Sequence, residues 1–182
     1  MDHAWTCRCC GKQFNTLLLD IAYHAPDHWL AIPEAEREHR GKLGADACVI
    51  DPEIFFLRGV VEIPIIGLSD CLRWGVWVAV TKEGFRRALD LWTAEVTEDE
   101  PPLGGWLGNN ISTYPDTINL ATHVHLRGGN LRPAIELLPT DHPLAIEQRE
   151  AFPLNASRRS WRRVRGGIDV RRHLVRSPCA ST

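Results

Sequence analysis

The sequence predicts an α+β domain: an antiparallel sheet of about five strands with helices packed on one face. Three observations carry this reading. Several stretches alternate apolar and polar residues with period two. The connections between them are mostly too short for parallel crossovers. Helical spacing appears in two places, after the second long strand and near residue 150.

The segment from Ile54 to Ile66 reads as a long strand. Phe55, Leu57, Gly59, Val61, Ile63 and Ile65 share one face, and Arg58 and Glu62 share the other. Pro64 removes a donor, as at an edge or strand end. Leu72 to Val80 is the second strand, with Leu72, Trp74, Val76, Val78 and Val80 on one side and Arg73, Gly75, Trp77 and Ala79 on the other. The short Gly, Ser and Asp linker between the two predicts an antiparallel pair. Thr81 reads as an N-cap for a helix over 82–94, with Phe85, Ala88, Leu89 and Trp92 at helical spacing. Leu103 to Leu107 is a short strand, and Tyr114-Pro115-Asp116 a turn.

Thr117 to Arg127 has the clearest alternation in the chain. Ile118, Leu120, Val124 and Leu126 point to the core, while Asn119, His123, His125 and Arg127 point away. Gly128-Gly129-Asn130 turns the chain into a returning strand over 133–138, and Pro143 to about Glu150 closes as a helix capped by Thr140 or Asp141. The domain layout is an N-terminal cysteine knuckle over 1–30, the sheet domain over 31–154, and an Arg-rich tail over 155–182.

Charge divides the chain unevenly. Residues 1–154 hold 13 Lys and Arg against 22 Asp and Glu, while 155–182 hold eight Arg against Asp169 alone. Nucleic-acid binding is therefore disfavoured for the acidic body and open only for the tail. The tail's few apolar residues show no sustained period, so it is expected to stay disordered and outside the core. No apolar run approaches the roughly 18 residues of a membrane span, and the first thirty residues lack a secretory pattern. The expectation is a cytoplasmic protein with no membrane contact.

Six cysteines are present, three of them crowded at Cys7, Cys9 and Cys10. Cys7-Arg8-Cys9-Cys10-Gly11 contains C-x-x-C-Gly, a spacing at which two thiolates grip one tetrahedral Zn²⁺. Two further ligands are needed. His24 and His28 complete a Cys2His2 finger spacing, but Pro26 breaks the helix that would present both. Cys48 is another completion, and a metal-free knuckle or a redox pair remain open.

Several motifs can be read jointly: Cys7-x-x-Cys10-Gly11, Asp46-Ala-Cys48-Val-Ile-Asp51, Glu62-Ile-Pro64, Trp74-Gly-Val-Trp77, Gly105-Trp106, Tyr114-Pro-Asp-Thr-x-Asn119, Arg132-Pro-x-Ile-Glu136 and Thr140-Asp-His-Pro143 with Glu147-Gln148-Arg149. Together they resemble the bacterial domain-of-unknown-function family numbered 2199, from about Trp5 to Glu150. The resemblance implies Cys7 and Cys10 as a ligand pair with Cys48. It places His in many members where this chain has Phe14, and no His at positions 24 and 28. It brings no established activity, so the chemistry rests on the residues.

The polar side of the sheet collects Arg58, Glu62, Asn119, His123, His125, Arg127 and Glu136. His123 and His125 stand two apart on one strand and so face one way, as two ligands or as a base and its orienter would. An ordinary solvated face with cross-strand ion pairs is the plain alternative. Seven tryptophans are present, with Trp74 and Trp106 expected in the core. Trp77 lies on the polar side. There it would suit a protein interface, unless a loop or the N-terminal segment covers it. No P-loop, dinucleotide fingerprint, G-x-S-x-G or H-E-x-x-H occurs. The sequence therefore favours a non-catalytic, zinc-binding interaction module with a protein partner. The alternative is an enzyme, with or without a metal ion, using the His123/His125 face.

Overall fold

The computed structural model describes residues 20–67, 69–97 and 99–153, together with Trp5–Thr6 and Gln13–Phe14. It is a mixed α+β structure built around one long hairpin. Strand β6 (Ile54–Ile66) runs antiparallel to β7 (Cys71–Val80), paired from Phe55↔Val80 to Pro64↔Cys71. Period two sends Leu57, Val61 and Ile63 of β6 and Leu72, Trp74, Val76 and Val78 of β7 inward, all buried.

Both long strands change partners half-way. The free edge of β7 pairs first in parallel with β3 (Asp20–Ala22), then antiparallel with β8 (Leu103–Leu107). Next come β9 (Ala121–His125) and β10 (Ala134–Leu137), each antiparallel to its predecessor. β10 then returns to β6 in parallel, at Ala134↔Val60. The sheet thus closes into a five-stranded barrel, β6-β7-β8-β9-β10. The other edge of β6 also carries β5 (Ala47–Ile50), followed by β4 (Gly41–Leu43), and ends against β11 (Phe152–Pro153). The two-residue strands β1 (Trp5–Thr6) and β2 (Gln13–Phe14) pair with each other.

The parallel return of β10 to β6, and the closure it produces, correct the expected antiparallel sheet of about five strands. A closed sheet has an inside and an outside, and the helix that follows β7 packs against residues of the inward face, Phe55 of β6 and Leu103 of β8. Helix α3 (Lys82–Asp90) is capped by Thr81, whose Oγ1 accepts from the Gly84 N–H, and sets Phe85 on Phe55 with ring centroids 5.1 Å apart. It stops short of the expected Ala94, and Leu89 is exposed. Short helices α1 (Asp27–Leu30) and α2 (Arg37–Arg40) lie in the segment after β3, which carries the buried Tyr23, Trp29 and Ile32.

Helix α4 (Pro143–Glu150) lies along the parallel seam. Its cap is His142 rather than Thr140 or Asp141: His142 Nδ1 accepts from the Leu144 N–H at 3.2 Å. The seam has a single registered residue pair, and α4 supplies what the ladder lacks. Gln148 Oε1 accepts from the Leu137 N–H and its Nε2 donates to the Ile135 carbonyl, both at 2.8 Å. One side-chain amide stands in for a strand neighbour.

Inside the barrel, space is set by glycine. A Cβ on Gly59 would lie 2.4 Å from Ile135 Cδ1, and one on Gly105 would lie 2.6 Å from Val78 Cγ1. Each glycine lets a facing strand approach the wall.

Candidate functional site on the outer wall of the barrel

The outer wall has two differently treated sectors. Outside β6 and β7, the segment 23–32 that follows β3 lies over the sheet. Trp77 is fully buried there; its indole N–H donates to the Tyr23 carbonyl at 3.1 Å. Arg58 stacks over its ring at 5.9 Å from the centroid, and His28 packs on Phe56. Asn109, also fully buried, ties this cover down. Its Oδ1 accepts from the Trp77 N–H, and its Nδ2 donates to the Ala25 carbonyl and to Asp27 Oδ1. Trp77 thus has the covered alternative anticipated for it.

Among the described residues nothing covers the wall outside β8, β9 and β10, where Gly104, Trp106 and Glu136 are exposed. Strand parity on β8 turns Gly105 and Leu107 inward, leaving Gly104 and Trp106 outward. Trp106 is 47% exposed, which corrects its expected place in the core. On β9, Thr122 and Val124 are buried, and His123 and His125 stand on the outer side. Their rings meet edge to face, with centroids 6.2 Å apart. The register sets Glu136 of β10 directly across from His123 and Ala134 across from His125. Glu136 Oε2 reaches diagonally to His125 Nε2 at 2.8 Å. The donor atoms of His123, His125 and Glu136 all lie within 4.8 Å of one another.

The remaining residues of the expected polar surface separate. Glu62 sits between two guanidinium groups, Arg127 at 3.6 Å and Arg73 at 3.8 Å. Arg73 also meets Asp70 at 2.8 Å. The Cys71 N–H, followed by Arg73, holds the Asp70 carboxyl below its ordinary range. Arg58 belongs to the covered sector. Asn119 lies outside β9 in a left-handed turn, φ 61°, because the strand begins only at Ala121. Ile118 correspondingly sits before the strand, half-buried.

Of the expected zinc ligands, Cys7 and Cys10 lie outside the described residues, as does the tail over 155–182. Cys48 is fully buried on β5, and burial pushes its thiol up to about 12. His24 and His28 flank the buried Pro26, with His28 in α1. Asp46, close to Cys48 in sequence, instead pairs with Arg132 at 2.6 Å and ties the β4–β5 turn to the approach of β10. No helix among the described residues is long and apolar enough to cross a membrane.

Sequence reasoning missed three residues that shape this surface. Asn109 gave no signal beyond its place in a Gly-Asn-Asn run after β8. Gln148 carried none, since a helix-borne amide looks solvent-facing. Trp106 was legible: Leu103, Gly105 and Leu107 form the inward face of β8, which sends Trp106 out.

The family model for uncharacterized proteins conserved in bacteria, DUF2199, matches residues 6–152. The chain belongs to that family. The match takes in the whole barrel, the cover over Trp77 and helix α4, and it stops where the Arg-rich tail begins. No curated protein and no solved structure matches the chain.

Proposed function

We propose that this chain is a non-catalytic interaction module that engages a protein partner through the bare wall of β8, β9 and β10. The observation that carries the reading is where the polar groups stand. His123, His125 and Glu136 project from the convex outside of a closed barrel, beside the exposed Trp106. An enzyme would collect such groups in a cleft that excludes water. A large aromatic flanked by small residues is instead what a partner surface uses as an anchor. Gly104 has nothing within 4 Å of where a Cβ would sit, so a partner can approach the backbone beside His123.

The reading includes Zn²⁺ held by Cys7 and Cys10, with Cys48 as a third ligand, on the strength of the C-x-x-C-Gly spacing. The reading also includes a cytoplasmic location, which the crowding of Cys7, Cys9 and Cys10 supports, since metal-binding thiols suit a reducing compartment.

Site-specific photo-crosslinking in cells tests the partner surface. A crosslinker at position 106 should give one discrete protein adduct, weakened by His123→Ala, while the same group at the exposed position 42 on β4 should give none. Equal labelling from both positions would overturn the reading. So would a turnover activity of the purified chain that is lost with His123→Ala.

A further inference from the structure

We propose that His123, His125 and Glu136 form a binding site for a divalent transition metal ion of the zinc class, distinct from any site built on the cysteines. The claim uses the same bare wall but stands on its own donor geometry. Two neighbouring imidazoles and a carboxylate are the donor set such ions prefer over Ca²⁺ or Mg²⁺, which take oxygen ligands.

The fold brings the three together from separate segments. Period two on β9 aims both imidazoles the same way, and the antiparallel register delivers Glu136 opposite His123. The donor atoms lie within 4.8 Å of one another, and the His125–Glu136 pair is already at 2.8 Å. Ligands about 2.0–2.1 Å from a tetrahedral ion are about 3.3 Å apart, so modest side-chain rotation closes the set. An ion pair between His125 and Glu136 would account for two of the three groups. The second imidazole, His123, stands edge to face with the first and supplies the third donor.

The surroundings permit the ion. Gly104, opposite His123 on β8, leaves the approach open, and Ala134 opposite His125 is small. Arg127, two residues beyond His125, is engaged by Glu62 at 3.6 Å. Three protein ligands leave a coordination position for water or for a donor from a partner, as in open rather than structural zinc sites.

The test is Co²⁺ titration of the untagged, chelator-stripped full chain, followed by displacement with Zn²⁺. The Cys7→Ser/Cys10→Ser double variant should still bind one ion, with a visible d–d spectrum lacking thiolate-to-metal charge transfer. In that background His123→Ala and Glu136→Gln should each weaken binding by at least about tenfold, since even loss of an outer-shell group costs about 10–100-fold. His123→Gln, which keeps a polar side chain, serves as a second variant if the alanine form does not fold. Binding that disappears with the cysteines, or that survives His123 substitution unchanged, would overturn the site. Neither result would touch the crosslinking outcome at position 106.

Discussion

Two tryptophans on the outside of the same barrel have opposite fates. Trp77 on β7 is fully buried, and Trp106 on β8 is 47% exposed. Both side chains leave their strands on the wall away from the barrel interior. The difference is the chain segment 23–32, which covers β6 and β7 and does not reach β8 and β9. Its Tyr23 carbonyl takes the Trp77 indole N–H, and Asn109 bonds both the cover and the Trp77 backbone. Strand chemistry matches the two treatments. β7 is apolar on both faces beyond Arg73, whereas β9 alternates buried Thr122 and Val124 with outward His123 and His125. A strand covered on both sides reads as a nearly continuous apolar run, and one facing water alternates.

The sharpest way to break this comparison is to truncate each tryptophan. Trp77→Ala removes a buried ring and its hydrogen bond and should cost about 3–5 kcal/mol. Trp106→Ala should change stability by no more than about 0.5 kcal/mol. Urea denaturation of the two variants measures the contrast, and equal losses would mean that the β8 wall is also covered.

Adjacent glycines on β8 repeat the comparison on a smaller scale. Gly105→Ala forces a methyl towards Val78 and the Ala79 carbonyl and should cost about 1–3 kcal/mol. Gly104→Ala meets nothing within 4 Å and should be neutral or slightly stabilising. A pair of thermal melts compares them.

The seam offers a third test. Gln148→Ala leaves the Leu137 N–H and the Ile135 carbonyl without their side-chain partner. A loss of about 1–3 kcal/mol is expected, with hydrogen exchange at Leu137 accelerated more than at Val124 on the neighbouring strand.

The smallest effect concerns pH. Glu147 lies half-buried beneath Tyr114, whose Oη donates to its carboxylate at 2.5 Å. Burial raises the Glu147 pKa above the ordinary value, while the Tyr114 hydrogen bond opposes that shift. The folded state therefore binds this proton more tightly than the unfolded chain does. Stability from this group rises as pH falls through the raised folded value, and the gain is complete below the unfolded one. Relative to Glu147→Gln, the native protein should gain stability on acidification across that interval. Parallel curves for the two proteins would show that Glu147 is not desolvated.

The sequence by itself determined the strands β6, β7 and β8, the Thr81-capped helix, the inward and outward sides of β9, and membership of a bacterial family. These are consequences of local periodicity and capping, which act between residues a few positions apart. Closure was decided elsewhere. Only the tertiary structure returned β10 to β6 in parallel, over a seam completed by Gln148, and laid residues 23–32 over Trp77. The meeting of His123 and His125 with Glu136 had the same origin. Period two aligned the two histidines, but the carboxylate arrived through cross-strand register. Such contacts join residues far apart in the chain, and no periodicity within one strand encodes which distant segment will lie beside it.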